Sequence, residues 1–304
     1  MSYAKNIESD RGLSARMFVT GLLLVLLWGI LGAVLFAVGL NLVIILVIEI
    51  GVIVGQYWFS DRIALFGMGG RIVTPEEAPK LHAMVERLCT LADMPKPKVA
   101  VATTDVPNAF ATGRSPKAAV VCATTGLMAR LEDEEVEAVL AHELSHVAHR
   151  DVAVMTIASS VGMLAGLLTR VALWSSMFTG EDNQGGGVAV ELAVMLVSIL
   201  VYAISYVLTM ALSRYRELAA DRSGAILIGR PSVLASALVK VTGDISKIPQ
   251  KDLRKSEAFN AFFFTPAISG KQGSSMASLF STHPSLEKRL AQLDELERTL
   301  GQAA

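Results

Sequence analysis

The sequence predicts an α+β fold that is mainly helical, with a small β-sheet beside one central helix and two apolar helical hairpins long enough to cross a membrane. Three observations carry this expectation. The 304-residue chain is 52% hydrophobic with a mean hydropathy of +0.50, high for a protein dissolved in water. The excess is concentrated in two pairs of apolar runs. Around those runs lie segments whose apolar residues alternate as in short strands or recur at helical spacing.

The first pair starts near residue 17. Phe18 to Ile48 contains no charged residue, and Glu49 stands alone before Asp61. A spanning helix takes about 20 apolar residues, so residues 17–59 make two spans with a break near Gly39-Leu40-Asn41. A cleaved signal peptide has a shorter apolar stretch and a small-residue cleavage site, so this hairpin is expected to remain in the mature chain. The second pair, Val152 to Phe178 and Val188 to Leu212, makes a hairpin over residues 152–212. Each of its runs holds one charge, Arg170 and Glu191, placed by this reading near one membrane face where both approach interfacial water. Lys5, Arg11, Arg16, Arg62, Arg71, Arg150, Arg214 and Arg216 flank the spans, and neither inter-helix loop has a Lys or Arg. The positive-inside rule then puts residues 1–16 and the soluble parts, 60–151 and 213–304, in the cytoplasm.

Within the soluble parts, Thr74-Pro75-Glu76-Glu77 reads as a capped start to a helix running to about Asp93. Lys98 to Thr103, Ala109 to Gly113 and Ala118 to Ala123 read as short strands, the last two forming a hairpin through Arg114-Ser115-Pro116. The acids Glu132 to Glu135 suit the positive end of a helix dipole, and the helix they open continues through Val136, Val139, Leu140 and Leu144. A further helix is expected from about Ser213 to Ile228 and an amphipathic one from Pro284 to Leu300, with loops over Gly243 to Ser281. A net charge of −1 without runs of one sign argues against nucleic acid as a partner. The two cysteines, Cys89 and Cys122, lack the spacing of a zinc ribbon or redox pair and read as reduced, buried residues.

The helix opened by Glu132 carries His142-Glu143-Leu144-Ser145-His146. Its two imidazoles stand one turn apart, about 6 Å along the axis, and both can reach one metal ion. Glu143 projects beside the metal, where it can deprotonate a bound water. A lone histidine on such a helix would be better read as a satisfied polar residue; the pair with its intervening glutamate points to zinc. His149, Glu217 and His283 are candidates for a third ligand. The glycine and further histidine of the metzincin pattern are missing, since those places hold His149 and Val152. Glu217 has a helical scaffold, and Asp221, one turn on, can accept the second N–H of a ligand histidine. Zinc held by His142, His146 and Glu217 leaves a position for water, with Glu143 as base and then acid.

His-Glu-Leu-Ser-His, an apolar hairpin and then Arg216-Glu217-Leu-Ala-Ala-Asp221 together resemble the HtpX-type membrane metalloproteases, relatives of the CAAX prenyl endopeptidases. The resemblance extends to Asn108-Ala109-Phe110-Ala111, to His283-Pro284 and to Arg289. It implies one Zn2+ per chain and a multi-pass protein of the bacterial inner membrane with its active site facing the cytoplasm. It further implies a stress-response, quality-control endopeptidase of misfolded or damaged membrane proteins, self-cleavage included. It makes 108–111 an edge strand that pairs with extended substrate, His283 a catalytic contact to the peptide or its oxyanion, and Arg289 a support for that region. Asn108 as a hairpin-entry asparagine and His283 as a helix N-terminal histidine are the plainer alternatives. A CAAX-type processing role, an intramembrane site-2-type protease and a non-enzymatic transporter or scaffold built on Arg170 and Glu191 stand as alternatives. Charges from Glu132 to Glu137 and at Arg150-Asp151 place the motif outside an apolar span, which disfavours the site-2 type.

Overall fold

The computed structural model describes residues 11–37, 42–178, 187–245 and 281–303. In order they form α1 (Arg11–Ala37), α2 (Leu42–Met68), β1 (Gly70–Ile72), α3 (Pro79–Leu91), β2 (Lys98–Ala102), β3 (Ala109–Thr112) and β4 (Val120–Thr124). The helices α4 (Thr125–Arg130), α5 (Asp133–Ala148), α6 (Asp151–Phe178), α7 (Gly187–Ile228), α8 (Pro231–Ile245) and α9 (Leu286–Ala303) follow. The expected mostly helical α+β architecture with one small sheet is what the chain adopts.

The sheet has the order β1-β2-β4-β3. β2 and β4 run parallel, while β1 on β2 and β3 on β4 are antiparallel. Alternate residues face opposite sides. Val99, Ala109, Val121 and Ala123 join the main core with α3, α5 and α8, whereas Ala100, Ala102, Phe110, Val120 and Cys122 pack beneath Leu65 and Met68 of α2. Both cysteines are free and buried. β3 lies at one end of the sheet order, beside α5.

α5 starts where its acids place it. Glu132 caps it, with the Glu135 carboxylate accepting the Glu132 N–H at 3.0 Å in a reciprocal capping box. α3 begins later than expected. Thr74 and Glu77 do bond reciprocally, but Pro79 forces Ala78 out of helical geometry, φ −141° and ψ 63°, as a residue before proline must be. The capped turn at 74–77 is therefore separate from the helix.

The apolar run from Val188 and the polar helix from Ser213 are one helix. α7 spans 42 residues, about 63 Å at the α-helical rise. No glycine or proline interrupts the chain between Gly187 and Gly224, so a change from apolar to polar composition does not end the helix. α6 packs along it through small residues: a Cβ on Gly162 would lie 3.0 Å from Ser205 Oγ, and one on Gly166 3.5 Å from the Tyr202 ring. This is the close approach that small residues allow between apolar helices. Leu27 and Leu31 of α1 complete that cluster with Val161, Leu164, Ala165 and Val201. Among the described residues, Ala15–Ala33 and the stretch beginning at Leu192 are long and apolar enough to cross a membrane, and Asp151–Gly166 is a shorter apolar stretch. The side chains of Arg170 and Glu191, the proposed break at 39–41, residues 179–186 and the proposed loops over 246–280 lie outside what is described.

Candidate metal centre

His142 and His146 occupy successive turns of α5, with Nε2 of one 3.2 Å from Nε2 of the other. A carboxylate stands beside each Nδ1: Asp221 Oδ1 lies 2.9 Å from that of His142, and Asp151 Oδ2 is hydrogen-bonded to that of His146 at 2.5 Å. A carboxylate accepts, so a neutral ring with its proton on Nδ1 would present the Nε2 lone pair to a metal ion. Two Nε2 lone pairs at this separation repel unless a metal cation or a shared proton lies between them. Nitrogens bound about 2.0–2.1 Å from a tetrahedral zinc ion stand about 3.3 Å apart, which fits the observed 3.2 Å.

α7 supplies the third donor. Glu217 Oε1 is 3.3 Å from His146 Nε2, and Oε2 is 3.8 Å from His142 Nε2. The donor atoms of His142, His146 and Glu217 all fall within 4.8 Å of one another. α7 comes this close because Gly224, on the same face as Glu217 and Asp221, lies against the backbone of His142. His149, by contrast, caps the C-terminus of α5 and lies outside that donor group.

Glu143 lies beside the donor group. Its Oε2 accepts the Ala111 N–H at 3.0 Å, a bond from β3 directed away from its partner β4. Burial pushes the Glu143 carboxyl up to about 8, with neighbouring Glu217 adding to the effect and His146 opposing it. Burial lowers the imidazole of His142. His146 is also subject to burial, but its bonds to Asp151 and Glu217 outweigh it and raise the ring to about 10. A bound dication reverses that logic by favouring neutral rings.

Of the four residues in the candidate edge strand, Ala111 meets Glu143, whereas Phe110 is buried under α2. Asn108 is buried; its N–H donates to Thr124 Oγ1 and its carbonyl accepts the Thr124 N–H, each at 2.9 Å. Ala109 is also buried and pairs with Ala123. His283 Nδ1 lies 3.0 Å from Glu217 Oε2, and its Nε2 is buried without a hydrogen-bond partner among the described residues. Arg289, which the resemblance makes a support for the His283 region and a substrate-binding residue, contacts Asp221. It is 1% exposed and holds Asp221 with two bonds, Nε to Oδ2 at 2.7 Å and Nη2 to Oδ1 at 2.6 Å. Sequence reasoning missed Asp151 and its partner Arg216, whose Nη2 lies 2.7 Å from Asp151 Oδ2.

Residues 75–297 match the family model described as peptidase family M48. The chain is 58% identical over 296 residues to "Protease HtpX homolog 1" of Streptomyces coelicolor, covering 97% of this chain and 96% of that protein. It is 50% identical over 300 residues to "Protease HtpX homolog" of Moorella thermoacetica, covering 97% and 98%. The crystal structure of S. mikatae Ste24p has a similar fold, with a TM-score of 0.54 at 17% identity, covering 92% of this chain and 67% of that one.

Proposed function

The chain belongs to peptidase family M48 and is a metallopeptidase, and from that premise we propose that it is a membrane-anchored zinc endopeptidase cleaving misfolded or damaged membrane proteins on the cytoplasmic side. The observation that carries the zinc reading is the pair of Nε2 atoms facing each other at 3.2 Å, with Glu217 beside them and a carboxylate oxygen near each Nδ1. His142, His146 and Glu217 would hold the ion. Zinc supplies a Lewis acid that polarises the scissile carbonyl and acidifies water. Glu143, beside the donor group, would accept the proton of the attacking water and return it to the leaving amine, two roles for one carboxylate.

The position of β3 at the end of the sheet order supports an extended substrate. A peptide paired there by β-augmentation would take the Ala111 N–H now bonded to Glu143, releasing the carboxylate as the substrate arrives. His283 Nε2 is buried with no hydrogen-bond partner among the described residues; because Nδ1 already donates to Glu217, this nitrogen would donate to charge developing on the substrate oxygen as part of a doubly protonated ring. The apolar helices α1 and α7 support anchoring, and the basic residues flanking them support a cytoplasmic site.

The substrate class is tested in liposomes, with a membrane protein offered in folded form, with an unfolded cytoplasmic segment, and as a prenylated C-terminal peptide. Cleavage of the unfolded segment alone is the expected result; cleavage confined to the prenylated peptide would move the function to CAAX-type processing. For sidedness, a cysteine replacing Asn183 is expected to label from outside and one replacing Gln272 from the cytoplasm. Labelling of both from one side would remove the second hairpin as a crossing.

A further inference from the structure

His146 is held at Nδ1 by a residue beyond its own helix. α5 ends at Ala148 with His149 as its C-cap. Arg150 then takes a left-handed conformation, φ 56°, which turns the chain sharply so that α6 begins at Asp151. The turn brings Asp151 Oδ2 to 2.5 Å from His146 Nδ1. The same oxygen accepts from Arg216 Nη2 at 2.7 Å, and Arg216 immediately precedes Glu217 on α7. Asp151 is 3% exposed and Arg216 8%.

The arrangement repeats one already described across the site. His142 is engaged by Asp221, which Arg289 holds; His146 is engaged by Asp151, which Arg216 holds. A carboxylate on Nδ1 fixes the tautomer, orients the ring and makes Nε2 more basic. An arginine on that carboxylate keeps it ionised and in place. Only the second set lies at the junction with the apolar hairpin: the carboxylate is the first residue of α6, and the arginine sits on α7 where its apolar stretch gives way to polar sequence.

We propose that Asp151 is a positioning residue for the metal, clamped by Arg216, so that zinc affinity is set where the catalytic helix enters the second hairpin. The proposal rests on the zinc reading above. The test uses the full chain in detergent, as wild type and as Asp151→Asn, Asp151→Glu and Arg216→Gln. Zinc affinity is measured by competition with a chromogenic chelator, the visible bands of the cobalt(II) form report ligand geometry, and circular dichroism reports the fold. Asp151→Asn is expected to bind zinc about 10–100-fold more weakly, the usual effect of losing such a partner, with shifted cobalt bands. Asp151→Glu recovers part of the loss, and Arg216→Gln, which keeps the carboxylate, loses less than Asp151→Asn. If Asp151→Asn does not fold, the other two variants decide, each expected to fall measurably below wild type. Wild-type affinity and cobalt bands in Asp151→Glu together with either other variant would overturn the proposal while leaving the zinc site intact. A wild-type chain that binds no zinc would overturn the zinc reading itself.

Discussion

Gly224→Ala tests how closely α7 must approach α5 for the site to exist. A Cβ at this position would lie 2.8 Å from His142 N, 2.9 Å from His142 Cα and 3.0 Å from Ala141 C. All three are backbone atoms inside a helix, so no side chain can swing aside. Ordinary contact begins at 3.4 Å, which leaves the nearest atom about 0.6 Å too close. The relief available is retreat of α7. Glu217 and Asp221 lie seven and three residues before Gly224 on the same helical face, so they retreat with it. Metal sites tolerate about 0.2 Å in ligand distance, and the displacement is some three times that. The expected outcome is a loss of zinc affinity of at least about tenfold, with the about 1–3 kcal/mol of destabilisation usual for overpacking. Chelator competition gives the first quantity and thermal unfolding of the zinc-free protein the second. Gly243→Ala on α8, where a Cβ meets nothing within 4 Å, is the control, expected to be neutral or stabilising by up to about 1 kcal/mol. Full zinc occupancy and unchanged turnover in Gly224→Ala would show that the close approach does not govern the ligand geometry.

The remaining predictions concern single side chains. Glu217→Ala is expected to lose tightly bound zinc and proteolysis together, whereas His149→Ala keeps both; metal analysis after dialysis separates them, and zinc retained without Glu217 would relocate the third ligand. His283→Ala is expected to keep zinc and slow cleavage, as the proposed contact of its Nε2 with substrate requires; zinc loss as severe as in Glu217→Ala would make it a ligand instead. Arg289→Met leaves the Asp221 charge buried without its guanidinium and is expected to destabilise the fold by about 3–5 kcal/mol, read by denaturant titration. A change below about 1 kcal/mol would mean that Asp221 finds another partner.

The parts of the site legible in the sequence are those fixed within one helix. His142, Glu143 and His146 share α5, and Glu217 and Asp221 share α7, so helical spacing alone places them on common faces. The β3–β4 hairpin was legible for the same local reason. What was not legible depends on breaks and on distant partners. Asp151 follows His146 by only five residues, yet its contact depends on Arg150 adopting a left-handed turn, which an arginine does not advertise as a glycine would. Arg289 meets Asp221 across 68 residues of sequence, and no periodicity encodes that. The continuity of α7 was hidden by composition: the apolar-to-polar change near Ser213 marks where the surroundings of the helix change, whereas hydrogen bonding continues through it. At α3 the capping pair Thr74 and Glu77 formed as expected, but Pro79 postponed the helix.

In the proposed mechanism, zinc held by His142, His146 and Glu217 works with Glu143 as the base. Its most direct test is metal content and casein cleavage of the detergent-purified full chain, measured in parallel for wild type and Glu143→Gln, before and after chelation and after zinc is restored. The expectation is one zinc per chain in both proteins, with cleavage by wild type alone, abolished by chelation and recovered with zinc, and a loss in Glu143→Gln of about 10²–10⁴-fold. Undiminished cleavage by metal-free wild type, or near-normal turnover by zinc-loaded Glu143→Gln, would contradict it.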